Sequence, residues 1–363
     1  MIDIDLDELI EAPRSYFSGP KYQGAAGRNR VRLGMAQVQT VTGPVEADQL
    51  GTTLIHEHLR NSDEAVHDQW PSAGAAKEDP PYEVAAAEVF EIAVREAKAA
   101  VELGIKTIGE PTAMFLGRDV DFMRRVSEET GLQVIPCTGI YTYDYLPQFF
   151  LNRDADQIAE FFVQDIEQGI QGTDIKAAFI KCAADEPGVN ENIEKVHRAA
   201  ARASVRTGAP IMAHSRPASE TGPRQIEIFE EEGVDLNKVQ IAHTGDTDDL
   251  DYIERLLEKG VWIGLDRYGL DIFLPYEKRQ ATAKALLERG YADRIFLSAD
   301  SVATTDWFPP NVIEQLIAAG AANDWTIRIV PERVLPELRD FGMTEEQERT
   351  IMVDNAANWL AAA

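Results

Sequence analysis

From Gly51 to Asp300 the chain repeats one pattern: a short apolar or β-branched run, then a long stretch rich in Ala, Glu, Arg and Leu. The short runs, 52–59, 106–112, 133–140, 177–183, 210–215, 239–244, 262–266 and 295–300, have the length and composition of buried strands. The long stretches, 84–103, 119–130, 155–168, 192–207, 220–232, 248–259 and 277–289, carry their apolar residues at helical spacing. All seven stop at a glycine: Gly104, Gly131, Gly169, Gly208, Gly233, Gly260 and Gly290. In the first, Val89, Ile92, Ala93, Ala97 and Val101 form one stripe. Eight strands alternating with helices are the number that closes a parallel (β/α)8 barrel. A doubly wound open sheet competes, but the regularity of the units favours closure. Residues 1–40 mix turn formers with charge and read as an N-terminal extension. Residues 41–363 read as one barrel domain with a C-terminal helix, 345–360, outside it.

Charge narrows the partners. Acidic residues number 62 against 35 basic ones, a net charge of −27. That balance disfavours nucleic acid, an anionic membrane surface or a highly anionic substrate. No run of eighteen apolar residues offers a membrane span. The start, MIDIDLDELIEAPRSYF, lacks the basic and apolar segments of a signal peptide, and two cysteines, Cys137 and Cys182, make no disulfide framework. The expected setting is the cytoplasm.

The six histidines separate by position. His67 falls on a polar loop and His197 on a helix face, where both read as surface residues. The other four fall within strands. On a strand, residues two apart share a face, so His56 and His58 of His56-Glu57-His58 both enter the barrel while Glu57 faces the helices. A pair of hydrogen-bonded core histidines would give the same triplet. His214 (IMAHS) and His243 (QIAHTGD) close their strands, and Asp300 closes FLSAD, all at the barrel's C-terminal face, where active sites of such barrels collect. Lys181 sits in the apolar run FIKCA, where an unpaired ammonium is costly; an internal ion pair with Asp300 or Asp266 would also account for it. Six polar side chains converging on one end of a packed barrel need an organising charge, and metal cations supply it.

Several motifs in order are recognisable: GTTLIHEHL (51–59), TGIYTYDYLP (138–147), FFLNRDADQIAEFFVQDIEQGIQGT (149–173), FIKCAADEPGV (179–189), EEGVDLNKVQIAHTGDTDDLDYI (231–253) and GLDRYGLDIFLP (264–275). From about Val41 to the C-terminus the chain resembles the phosphotriesterase-like lactonases of the amidohydrolase superfamily. The resemblance implies a binuclear centre: His56, His58 and Asp300 on the buried ion, His214 and His243 on the exposed one, and Lys181 carbamylated as their bridge. A lysine desolvated by its strand is driven towards the neutral amine, the form that attacks carbon dioxide. Zinc comes first among the two divalent ions, with iron, cobalt or manganese also suited to these donors.

The resemblance further implies that a hydroxide between the metals opens N-acyl homoserine lactones and other γ- and δ-lactones, with side activity on organophosphate triesters. Asp300 would carry the proton, and Tyr141 would reach the exposed metal's side and the ring oxygen. Arg267 and Tyr268 would shape the lactone pocket, and Trp307 and Phe308 the acyl-chain channel. A packing residue at the barrel mouth is the lesser alternative for Tyr141, and a loop anchor is the even alternative for Trp307. A homodimer is expected by the same resemblance. One position departs from the family: Ala299 stands before the metal aspartate, where histidine is usual. The loop SVATTDWFPP also lacks the cysteines common there. The alternatives are a phosphotriesterase, carboxylesterase or amidase as main activity, or a metal-binding protein made feeble by Ala299.

Overall fold

A computed structural model describes residues 36–63, 66, 69–70, 82–308, 312–322 and 324–361. His67 and residues 1–35 of the expected extension lie outside them. All eight expected strands form, each shorter than its apolar run: β1 Thr53–Leu54, β2 Thr107–Glu110, β3 Gln133–Gly139, β4 Phe179–Ala183, β5 Ile211–His214, β6 Val239–Ala242, β7 Trp262–Leu265 and β8 Ile295–Leu297. They lie side by side in chain order, every ladder parallel. The helices between them are α1 Tyr82–Glu102, α2 Val120–Thr130, α3 Ala155–Glu167, α4 Glu191–Thr207, α5 Thr221–Glu231, α6 Leu250–Glu258 and α7 Tyr276–Glu288. Asp119 caps α2 by accepting from Phe122 N, Asp154 and Gln157 form a capping box on α3, and Gly208 ends α4 at a φ of 84°. The architecture is a (β/α)8 TIM barrel.

The seam between β1 and β8 closes in a different way. Beyond the short paired stretch of β1, Asp300 N donates to His56 O (3.1 Å), His58 N to Ser301 O (2.7 Å) and Ala303 N to His58 O (3.0 Å). Parallel bridges join His58 to Val302 and Asn61 to Thr305. Glu57, expected to face the helices, is buried here and stitches the same seam. Its Oε1 accepts from Ala299 N (2.7 Å), and its Oε2 accepts from Ser301 N (2.9 Å) and Ser301 Oγ (2.6 Å).

Strand alternation sorts the core into two layers. On β4, Ile180 and Cys182 pack outward with the helices, while Phe179 joins Met212, Trp262 and Phe296 inside the barrel. Lys181 shares the face of Phe179 and enters the barrel from the upper end of β4. A hairpin, Gln37–Thr40 with Gly43–Glu46, adds Val38 to the interior cluster. The C-terminal segment covers the lower end of the barrel. It runs as Glu345–Arg349, a π-helical turn Thr350–Asp354 and Asn355–Leu360. Trp359 is fully buried with ring centroids 5.6 Å from Phe179 and 5.9 Å from Phe296, plugging the barrel at the end opposite His214 and Asp300.

Candidate metal centre

His56, His58, Lys181, His214, His243 and Asp300 all meet at the C-terminal end of the barrel. Lys181 Nζ lies 3.2 Å from His56 Nε2. Asp300 Oδ1 lies 3.2 Å from His56 Nε2 and 3.1 Å from His58 Nε2, and its Oδ2 3.9 Å from His243 Nε2. His214 stands edge-on to His243, ring centroids 4.4 Å apart. Two of these residues sit in the left-handed region without being glycine: His243 at a φ of 61° and Asp300 at 52°. Such backbone costs on the order of 1–3 kcal/mol per residue and survives where the surroundings enforce it, as the bonds of Glu57 on both sides of Asp300 do. Gly139 shows how tightly Lys181 is approached: a Cβ there would lie 1.9 Å from Lys181 O, and its φ is 123°.

Each imidazole is anchored on its far side by an oxygen. His56 Nδ1 donates to Asp266 Oδ2 (2.9 Å), and His243 Nδ1 to Asp266 Oδ1 (3.0 Å). His58 Nδ1 donates to Thr112 Oγ1 (2.7 Å), which donates in turn to Glu110 Oε1 (2.7 Å). His214 Nε2 donates to Asp185 Oδ2 (2.6 Å), whose other oxygen accepts from Arg216 (3.1 Å). These partners fix each tautomer and leave one lone pair per ring for a cation. For His56, His58 and His243 that lone pair points at the acceptor-only carboxylate of Asp300. Lone pairs facing lone pairs at 3.1 to 3.9 Å repel unless positive charge lies between them.

The donor chemistry therefore fits divalent cations. His56, His58 and Asp300 offer ligand atoms within 4.8 Å of one another. A second triad within that distance, His56, His243 and Asp266, is better read as a hydrogen-bond group, because both Asp266 oxygens already accept from the two rings.

The titrations follow from burial and charge. Burial lowers the His58 and His214 pKa values to about 4 and pushes His243 well below the ordinary range. His56 is the exception: burial and Lys181 oppose its charged form, yet Asp300 and Asp266 hold it above the usual value. Burial brings the Lys181 ammonium down to about 8, against the pull of Asp300 and Asp266. For Asp300, burial is outweighed by His56 and His243, and the carboxyl stays well below its usual range.

Around this group, Tyr141 places its hydroxyl 3.3 Å from His214 Nδ1 and in a very short contact with the Tyr143 hydroxyl. Arg267 donates to Asp300 Oδ2 (3.0 Å) and Asp246 Oδ2 (2.8 Å), with its guanidinium over the Phe273 ring. Trp307 is part-exposed, 6.1 Å from the Tyr141 ring, and Phe308 is exposed beside it. Tyr268 is not in this group: it is fully buried, its ring against Tyr276 and its hydroxyl donating to Gln280, so it supports the turn from the core.

His197, expected at the surface, is fully buried; its Nδ1 donates to Ile193 O and its Nε2 accepts from Gln225, which also donates to His214 O. Sequence reasoning missed Asp185, Thr112 and Glu110 and weighed Asp266 only as an ion-pair partner of Lys181, whereas it accepts from His56 and His243. Asp266 had the better signal, ending WIGLD as Asp300 ends FLSAD.

The profile of the phosphotriesterase family matches residues 36–360. An aryldialkylphosphatase of Saccharolobus solfataricus is 46% identical over 311 residues, 86% of this chain and 95% of its own length. A phosphotriesterase homology protein of Mycobacterium tuberculosis is 37% identical over 328 residues, covering 88% and 96% of the two chains. The solved phosphotriesterase structure from Mycobacterium tuberculosis superposes with a TM-score of 0.81 at 35% identity, over 89% of this chain and 98% of that one. Fold, site and likeness together make the chain a member of the phosphotriesterase family, hydrolases that act on ester bonds.

Proposed function

We propose that the chain is a lactonase that opens N-acyl homoserine lactones and related γ- and δ-lactones, with side activity on organophosphate triesters. The observation that carries the hydrolytic part is the set of three anchored imidazoles, His56, His58 and His243, whose free nitrogens face Asp300. Two divalent ions held there, zinc first among them, would supply Lewis acidity and lower the pKa of a bound water. His56, His58 and Asp300 would hold one, His214 and His243 the other, with carbamylated Lys181 between. Asp300 takes the proton of the attacking water and returns it to the leaving alkoxide, so that lactone and water give the hydroxy acid. Arg267 steadies Asp300 from the side. The Tyr141 hydroxyl donates to the substrate oxygen beside His214.

The lactone preference is supported by the mouth. Ile272, Phe273, Trp307 and Phe308 all expose apolar surface there, suited to an acyl chain carrying a polar ring. The name of the Saccharolobus solfataricus relative favours a second reading, phosphotriester hydrolysis as the main activity. Rates on a medium-chain acyl homoserine lactone and on paraoxon, each with and without chelator, separate the two. Chelator-sensitive ring opening that exceeds the triester rate is expected, and the reverse order would overturn the lactone assignment. The proposal extends to a homodimer in the cytoplasm; exposed Phe149, Leu151 and Phe161 offer apolar surface for such pairing. No helix among the described residues is long and apolar enough to cross a membrane.

A further inference from the structure

Asp266 joins two histidines that the proposed function gives to different ions. Its side chain is fully buried. Oδ2 accepts one donor, His56 Nδ1 (2.9 Å). Oδ1 accepts two, His243 Nδ1 (3.0 Å) and His243 N (2.8 Å). The strand makes room for this carboxylate at a cost in side-chain volume: a Cβ on Gly264, two residues back on the same face, would lie 2.1 Å from Asp266 Oδ2. Gly264 thus leaves open the space that the oxygen bonded to His56 occupies.

We infer that Asp266 is the positioning residue that sets the metal-facing tautomer of both rings, one through each oxygen, and so ties both metal positions to one carboxylate. With Nδ1–H committed to Asp266, Nε2 of His56 and of His243 carries the free lone pair. The two oxygens are not equivalent, and that gives the inference a direction. An amide has one acceptor oxygen and one donor nitrogen. In Asp266→Asn the carbonyl goes where two N–H groups wait, on the His243 side. The NH2 is then left against His56 Nδ1. A donor there is satisfied only if Nδ1 becomes the acceptor, which moves the ring proton to Nε2, the atom that faces the ion. The ion held by His56, His58 and Asp300 therefore loses one of its three ligands, while His243 keeps its free nitrogen for the other.

The inference rests on the binuclear reading, and the test separates the two. The full-length chain, stripped and reloaded with 113Cd, is followed by cadmium NMR and by titration of bound metal. Wild type should show two resonances and two ions per chain. Asp266→Asn should keep the resonance of the His243 position and lose the other, or weaken its dissociation constant at least about tenfold, the lower end for lost ligand-orienting contacts. Gly264→Ala leaves every ligand in place but crowds Oδ2, and should weaken the same position; it carries the test if Asp266→Asn does not fold. Two unaltered resonances with unchanged affinities in both variants would overturn the role of Asp266. A single ion in the wild type would instead overturn the binuclear reading, and the inference with it.

Discussion

Lys181 gives the sharpest quantitative expectation. Its ammonium is fully buried and its pKa is lowered to about 8. At pH 7 about a tenth of such amines are neutral, against about three in ten thousand for a free lysine at the ordinary value. Burial thus raises the fraction able to attack carbon dioxide by roughly 300-fold. Protein freed of metal and carbamate should regain bound zinc on addition of 13C-bicarbonate, with a new carbamate carbon signal by NMR. The rate, expressed per dissolved carbon dioxide, should climb about tenfold per pH unit below about 8 and flatten above it. Lys181→Met should show no carbamate signal. A rate that kept climbing to pH 10, or zinc uptake indifferent to bicarbonate, would refute the reasoning.

The same shift has a stability sign. The unfolded chain binds this proton more tightly, so the unmodified protein bears a penalty of about 3 kcal/mol below pH 8. That penalty is relieved as pH rises through the window from about 8 to 10.5, and denaturant midpoints of the metal-free chain should rise there by this contribution.

Asp185→Ala removes the acceptor of His214 Nε2 and should weaken the ion at that histidine about 10- to 100-fold, read by competition with a chromogenic chelator. Thr112→Val breaks the chain from His58 to Glu110 and should act on the other ion by a similar factor, while leaving the His214 position unchanged in the same assay. Tyr141→Phe should lower kcat for lactone while metal content stays at wild type; unchanged turnover would return Tyr141 to a packing role. Glu57→Gln places an NH2 among three seam donors and should cost about 1–3 kcal/mol in chemical denaturation for the donor left unmatched.

The elements were legible because helix and strand periods are local properties of sequence. Strand ends carrying His214, His243 and Asp300 could be placed at one face for that reason. The His56-Glu57-His58 triplet was legible only in outcome. Its residues lie past the paired stretch of β1, and their aim is set by bonds to residues 298–303, more than 240 positions away. His197 sat on a helix whose buried face was misjudged, since a histidine bonded to Ile193 O and Gln225 fills core space as an apolar ring would. Asp185 and Thr112 carried no spacing signal. Their roles depend on which ring nitrogen meets them, and that is a property of the assembled site.

The seam between β1 and β8 has a consequence in time. Its bonds run through His56, His58, Asp300 and Ser301, so the contacts that shut the barrel are also those that build the site. Residues 56 and 300 come together only after the intervening helices and strands exist, and so a ribosome must deliver nearly the whole domain before the half built on His56, His58 and Asp300 is complete. A nascent or C-terminally truncated chain ending just before Asp300 can own all eight strands and the four histidines of the site and still lack the carboxylate that His56 and His58 face. Assembly of the site is thereby a checkpoint on the finished chain, and slow closure of distant ends is the step that should govern it.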